Sequence, residues 1–324
     1  MVEQRLNFPP SANSVRVSMI DTTAVMRVLS ETLIEPVPQG HEYLNVTDVA
    51  FLIEHEPSGK RIMFDLGIRK DYWNFPPFML RRLAKMIPSL RIDKDVSEIL
   101  EEKGIALSSI YTPGHCTGHM CGLARTSPDP NSTFILMGGD IAHFSGDIRP
   151  QPEIPVPEFI PEDVLDVDPT YFPVPCPGSL FTDHNPLIEH FGDAQDPRIT
   201  PFYNVSTGPL SSYANPKLAQ QSVDRLKNFD VSEDVLVCLA HDGSLLEKLP
   251  VFNTSPELDL NTWKNSGWKQ KAHWGWLNEL PRNKQPGRRP IIDGYWRYGK
   301  QWSEARQELV ARADMLARSC GDTK

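Results

Sequence analysis

The stretch of sequence that decides the fold is TPGHCTGH, residues 112–119. A Pro-Gly pair in it is followed at once by His115, and a second imidazole, His119, comes four residues later. Proline restricts the backbone φ angle and glycine permits φ angles that other residues avoid, so this pair is typical of a turn. We expect the turn to present His115, because imidazole is a preferred ligand of zinc and related metals.

Two later fragments have the same character. The run FILMGGD, residues 134–140, is an apolar strand pattern that ends in glycines and the carboxylate of Asp140. The run VLVCLAHD, residues 235–242, is a second apolar strand pattern, and it ends near His241. Three strand or loop ends that each offer a nitrogen or oxygen ligand predict a divalent metal site of the zinc kind. Its predicted ligands are His115, Asp140 and His241.

The bulk composition excludes several classes of protein. With 324 residues, of which 40% are hydrophobic and 23% charged, the chain is an ordinary globular protein with a large core. A net charge of −9 argues against a nucleic-acid surface, which needs clustered Lys and Arg. No apolar run reaches membrane-spanning length, and the N-terminus lacks a signal-peptide pattern. Five scattered cysteines, an odd number, predict no disulfide framework and favour a reducing, cytoplasmic location.

The pattern along the chain predicts one mixed α/β domain over residues 1–324. Strands are expected at 15–28 and 43–54, and a Pro-Ser-Gly turn then predicts a hairpin to a third strand at 61–67. Helices are expected at 80–86, 95–103, 216–229 and 303–319. The segment 150–216 holds fourteen of the thirty prolines, which suits an insertion or cover and not a central strand. Residues 263–319, rich in tryptophan, are predicted to form a C-terminal cover.

Taken together, these fragments resemble those of metallo-β-lactamase-fold hydrolases, in the style of fungal members that act on small cyclic esters or amides. The resemblance rests on Asp65 in MFDLG, His115 in TPGHCTGH, Asp140 in LMGGD and His241 in CLAHD, in the family's order across residues 49–246. It implies a four-layer αββα sandwich with the metal site at one edge, between two β-sheets. One or two zinc ions are the expected cofactor.

The resemblance also implies a role for each residue. His115 would bind a first metal, Asp140 would bridge two metals, and His241 would bind the second. Asp140 would in addition orient the attacking water, which makes it the candidate catalytic residue. Asp65 would support the site by hydrogen bonding.

Each of these residues has a plainer interpretation. His115 could be a turn histidine bonded to backbone, Asp140 an N-cap, and His241 part of a strand-end turn. His143 could be an exposed loop residue or a substitute ligand. Cys116 is more simply an inert thiol than a nucleophile, because nothing in the sequence supplies an oriented base.

One motif of the family is absent. The family carries His-x-His-x-Asp-His at a strand end before the TPGH segment, but no two histidines in this chain are separated by a single residue. The expected helix and strand at 95–110 run directly into Tyr111 and Thr112. We therefore predict that a block is missing between Ile110 and Tyr111 and that the sandwich is incomplete.

Two functions are compatible with the sequence. The first is a metal-dependent hydrolase that opens a lactone or lactam ring, in detoxification or secondary metabolism, with a small cyclic ester or amide as its substrate. The second is a non-catalytic or truncated family member, such as a pseudoenzyme, a splice form or an erroneous gene model, that binds no metal. Neither function involves nucleic acid or a membrane.

Overall fold

The computed structural model describes residues 6–111, 120–166, 172–192 and 195–321. Its strands are β1 Arg16–Leu29, β2 Ile34–Glu35, β3 Tyr43–His55, β4 Lys60–Phe64, β5 Ser89–Ile92, β6 Ile110–Tyr111, β7 Gly122–Arg125, β8 Phe134–Gly139, β9 Phe159–Ile160, β10 Cys176–Pro177, β11 Asn204–Val205 and β12 Val235–Leu239. Its helices are α1 Pro77–Met86, α2 Val96–Glu102, α3 Ser179–Thr182, α4 Pro186–Phe191, α5 Pro216–Asp230, α6 Gly243–Lys248, α7 Trp268–His273 and α8 Trp302–Gly321.

Two sheets carry most of the strands. The larger has the order β5-β1-β3-β4-β6, and the smaller has the order β12-β8-β7. In the larger sheet, β1 and β3 pair antiparallel along most of their length, and the predicted hairpin joins β3 to β4. In the smaller sheet, β8 and β12 are parallel neighbours, whereas β7 is antiparallel to β8. Every residue of β8 and β12 is buried, as their continuous apolar runs predict.

The two sheets face each other across a shared core. Successive side chains of a strand point to opposite faces, and β3 shows the consequence. Val49 and Phe51 pack with Ile135 and Met137 of β8, between the sheets. Ala50, on the opposite face of β3, packs in a second cluster with residues of α2.

Helices cover both outer faces. On the larger sheet, α1 and α8 pack over residues of β1, β3 and β5, beside the cluster that includes α2. On the smaller sheet, Val223 and Leu226 of α5 pack on the outward residues of β8 and β12. The order of layers is therefore helix, sheet, sheet, helix, which confirms the predicted α/β class and the αββα arrangement.

The helix α2 begins at a capping box that the sequence pattern anticipates. The side chain of Asp95 accepts from the backbone of Glu98, and the Glu98 carboxylate accepts from Asp95 N at 2.8 Å. We expect Asp95→Ala to lower the free energy of unfolding by about 1 kcal/mol, because it leaves helix N–H groups without an acceptor. Urea denaturation measures this. The control Glu101→Ala, on the exposed face of α2, should change stability by less than about 0.5 kcal/mol. Equal effects from both variants would contradict the assignment.

Two predicted segments are less regular. Between residues 150 and 216 the structure describes only short elements, namely β9, β10, β11, α3 and α4, so this segment contributes no strand to either main sheet. In the tryptophan-rich segment, Trp263, Trp274 and Trp276 are buried in the core clusters. That residues 150–216 and 263–319 serve as covers of the domain stays a prediction. Among the described residues, no helix has both the length and the apolar character that a bilayer crossing requires.

One edge of each main sheet carries an exposed apolar side chain. Ile62 on β4, next to the two-residue edge strand β6, is 42% exposed. Leu123 on β7, the edge strand of the smaller sheet, is also 42% exposed, although its partner Leu136 is buried. Single exposed apolar side chains are common on protein surfaces. The predicted gap and the incomplete sandwich therefore stay predictions.

Candidate metal centre

The ends of β8 and β12 bring two of the predicted ligands together. Parallel neighbours end at the same edge of a sheet, so the residues that come directly after them meet there. Asp140 comes directly after β8, where Gly139 adopts φ of +53°, a conformation that favours glycine. His241 comes two residues after the end of β12. Asp140 Oδ1 and His241 Nε2 are 3.0 Å apart.

A third ligand atom comes from His143. Asp140, His143 and His241 each offer one ligand atom, and the three atoms lie within 4.8 Å of one another. The rings of His143 and His241 stack with centroids 5.2 Å apart and an interplanar angle of 17°. His143 Nδ1 lies 2.9 Å from the Tyr213 hydroxyl, which fixes the orientation of the ring. His143 is therefore a half-buried residue beside Asp140 and His241, which is compatible with its role as a substitute ligand, and that role stays a prediction.

The other predicted ligand cannot be placed. His115 lies outside the described residues, as do Cys116 and His119. The role of His115 therefore stays a prediction.

The backbone of β3 sets which nitrogen of His241 is available to a metal. His241 Nδ1 lies 2.9 Å from the carbonyl oxygen of Thr47. A carbonyl can only accept, so Nδ1 carries the hydrogen and donates it to Thr47. Nε2 is then the ring atom that faces Asp140. Metal-binding histidines in proteins are commonly oriented by this kind of bond to a carbonyl.

One buried and one exposed carboxylate lie close to His241. Asp48, nearly fully buried on β3, has Oδ1 3.9 Å from His241 Nδ1. Burial raises the pKa of Asp48 to about 7; His241 acts against this shift, while Asp65 and Asp140 add to it. Burial alone would lower the pKa of His241, but the Asp140 and Asp48 carboxylates raise it to about 10. Carboxylates this close to one imidazole favour the binding of a cation.

Asp65 shapes the turn after β4. It adopts φ of +66°, and its Oδ1 accepts from the backbone nitrogens of Leu66 at 2.7 Å and Gly67 at 2.9 Å. A side chain at Gly67 would place its Cβ 2.9 Å from the Asp48 carboxylate, so the turn packs directly on that acid. This is compatible with the supporting role that the resemblance implies for Asp65, and that role stays a prediction.

A buried polar network lies beneath the ligands and ties their two loops together. Asp242, next to His241, caps α6 by accepting from Ser244 N at 3.1 Å. Its other oxygen accepts from the Ser145 hydroxyl at 2.9 Å, and Ser145 lies in the loop after β8. Arg149 Nη1 is 3.5 Å from the same oxygen of Asp242. The network therefore holds the Asp140–His143 loop against the loop that carries His241.

The donor set fits one divalent metal ion. Two imidazole nitrogens and one carboxylate oxygen are three protein ligands, the number that catalytic zinc uses while keeping a position open for water. The same set also suits iron in its two-histidine, one-carboxylate form.

Sequence reasoning did not identify Asp48, Thr47 or Tyr213 as part of this centre. The sequence does single out Asp48, because a carboxylate inside the apolar run VTDVAFLI is unusual for a strand buried on both faces.

Comparison with known proteins finds relatives of this chain. No protein-family model matches the chain. A gamma-lactamase of Fusarium pseudograminearum is 27% identical to it, and the match covers 84% of each chain. A metallo-hydrolase of Annulohypoxylon moriforme is similar to this chain as well, at 24% identity over 85% of this chain and 90% of the relative. Both relatives support the resemblance of this chain to the metallo-β-lactamase-fold hydrolases.

The alignments also bear on the predicted gap. The match to the Fusarium relative extends over 365 aligned positions, more than the 324 residues of this chain, so it must include positions that this chain lacks. A solved N-acyl homoserine lactone hydrolase aligns over 75% of this chain and 98% of its own, at 11% identity and a TM-score of 0.40. This structural likeness is too weak to indicate a shared function.

Proposed function

We propose that this protein is a hydrolase that opens the ring of a small lactone or lactam, using one metal ion held by Asp140, His143 and His241. The observation that carries the proposal is the convergence of these three ligand atoms within 4.8 Å at the ends of β8 and β12. The substrate class is supported by the relatives named gamma-lactamases. Zinc is the proposed metal, and His115 is proposed as an additional ligand.

The chemistry is the addition of water across an ester or amide bond. Asp140, His143 and His241 would hold the ion, which when bound would lower the pKa of a coordinated water to about 7 and so supply a nucleophile at neutral pH. The exposed carboxylate of Asp140 is the proposed acceptor of the proton from the attacking water. His241 is held by Thr47 and His143 by Tyr213, so both imidazoles are oriented before any ion arrives. The ring C–O or C–N bond breaks and leaves a carboxylate with an alcohol or an amine.

Metal content and ring opening together test this function. The purified protein is dialysed against zinc, and its bound metal is measured by mass spectrometry. Opening of five-membered lactones is followed by the acid released, and opening of lactams by chromatography of the amino acid formed, because the new amine takes up the proton. We expect about one equivalent of zinc and measurable ring opening. Less than about a tenth of an equivalent of zinc, iron or manganese, with no ring opened, would instead support the non-catalytic family member.

Replacing His143 by phenylalanine tests whether this histidine is a metal ligand. Phenylalanine at this position can keep the stack on His241 but offers no nitrogen ligand. We expect His143→Phe to weaken zinc binding by about 100-fold, measured by competition with a chromogenic chelator. The matched control is His184→Phe, an exposed histidine between α3 and α4 outside the centre, which should bind zinc like the parent. Unchanged affinity in His143→Phe would show that the third ligand lies elsewhere, with His115 the first candidate.

A further inference from the structure

Two cavities lie beside α8, outside the metal centre. Two adjoining cavities of about 300 and 470 Å³ share Tyr72, Trp73 and Arg297 in their walls. They lie between the turn at 72–74, the loop at 295–298 and α8, and we call them together the aromatic groove. None of the residues that line it belongs to the metal centre. Their size is typical of small-molecule sites.

The walls of the aromatic groove are flat rings. Tyr72 packs edge-on against Trp73, with centroids 5.3 Å apart, and lies 6.1 Å from the ring of Tyr295. Trp296 and Tyr298 are each more than half exposed at its mouth. Large aromatic side chains left open to solvent around a cavity are typical of ligand-binding surfaces. They favour a planar, apolar ligand body.

Two guanidinium groups give the aromatic groove an unbalanced positive charge. The Arg297 guanidinium lies 3.4 Å from the ring centre of Trp73. Arg312 Nη2 donates to Asn74 Oδ1 at 3.2 Å, while its buried Nε has no acceptor. Neither arginine has a carboxylate partner among the residues that the structure describes.

The other charges that line the groove are already paired. Lys70 binds Glu98 at 2.6 Å, Asp93 lies 3.5 Å from Arg91, and the Glu308 carboxylate binds Lys300. The charge left for a ligand to balance is therefore positive.

We propose that the aromatic groove binds an aromatic carboxylate. The ring of the ligand packs against the exposed rings of Trp296 and Tyr298, and the carboxylate pairs with Arg297 and Arg312. Guanidinium matches a carboxylate with two parallel hydrogen bonds, which selects a planar anion over a neutral molecule of the same shape. This binding does not depend on the proposed hydrolase function.

Calorimetric titration with 2-naphthoate tests the proposal, with 2-naphthamide as the neutral molecule of the same shape. We expect one saturable site for naphthoate and at least about 10-fold weaker binding of the amide. Arg297→Gln and Arg312→Gln should each weaken naphthoate binding about 10-fold. The matched control is Arg306→Gln, an exposed arginine of α8 that does not line the groove, and it should bind naphthoate like the parent. Unfolding midpoints of all variants check that they fold.

The metal centre must be separated from the aromatic groove, because a carboxylate could also bind zinc. Naphthoate binding should be unchanged in His241→Ala and in protein stripped with a chelator. Loss of binding in either would place the ligand at the metal centre and overturn the proposal. It is also overturned by the absence of a saturable site, by equal affinity for the amide, or by equal effects of Arg297→Gln and Arg306→Gln.

Discussion

Asp140→Ala is expected to remove metal binding and to lower kcat/KM for ring opening by about 1000-fold. Asp140 supplies the single carboxylate of the three ligands, and its Oδ1 lies 3.0 Å from His241 Nε2. Its loss leaves two imidazoles, which are too few protein ligands for a catalytic zinc site. The substitution also removes the carboxylate that we propose as the acceptor of the proton from the attacking water. Bound zinc is measured by mass spectrometry, and zinc-dependent stabilisation by the shift in unfolding temperature.

Two further variants separate the roles of Asp140. Asp140→Asn keeps the shape but not the charge, so it should bind zinc more weakly than the parent and hydrolyse slowly. Asp183→Ala, an exposed carboxylate in the segment between α3 and α4, should match the parent in both measurements. If Asp140→Ala held a full equivalent of zinc, the metal site would lie elsewhere in the chain and the proposed centre would be wrong.

Much of the fold could be predicted because its strands are strongly apolar. The runs at 134–139 and 235–239 are too uniformly apolar for strands with one solvent-exposed face. The structure shows them as parallel neighbours in the smaller sheet. Once they are neighbours, Asp140 and His241 have to converge. Local signals also located α2, whose Asp95 and Glu98 form the capping box.

The rest of the centre depends on contacts that no local pattern encodes. His143 joins the ligands because Tyr213, seventy residues later, bonds to its ring. The Thr47 carbonyl that orients His241 belongs to the other sheet, 194 residues away in the sequence. Asp48 acquires its raised pKa by burial between elements that the sequence alone cannot pack. Such effects arise from tertiary structure, which strand and turn propensities do not report.

The buried polar network beneath the metal centre includes a salt bridge whose disruption should strongly lower the free energy of unfolding. Arg149 binds Asp230 through two parallel bonds, Nε–Oδ2 at 3.0 Å and Nη2–Oδ1 at 2.9 Å. Their side chains are 5% and 0% exposed. Arg149 also donates to the His273 carbonyl at 3.2 Å, so the pair joins the loop after β8 to the ends of α5 and α7.

Removing one partner of this pair should destabilise the protein strongly. We expect Asp230→Leu to lower the free energy of unfolding by about 3–5 kcal/mol, because it leaves the Arg149 charge buried and without its main partner. Urea denaturation measures the loss. The double variant Arg149→Met with Asp230→Leu should recover most of it, since apolar groups of similar volume can replace a buried pair.

An exposed pair provides the contrast. Asp234→Leu breaks the pair with Lys264, whose side chains are both largely solvated, and should cost less than about 1 kcal/mol. If breaking the exposed pair lowered the free energy of unfolding as much as breaking the buried pair, burial of the Arg149 charge would not be the cause of the destabilisation. Because Arg149 also lies 3.5 Å from Asp242, beside His241, the buried single variant should weaken zinc binding as well, whereas the exposed one should not. A buried variant that lost stability but kept full zinc affinity would show that the ligands hold their positions without this network.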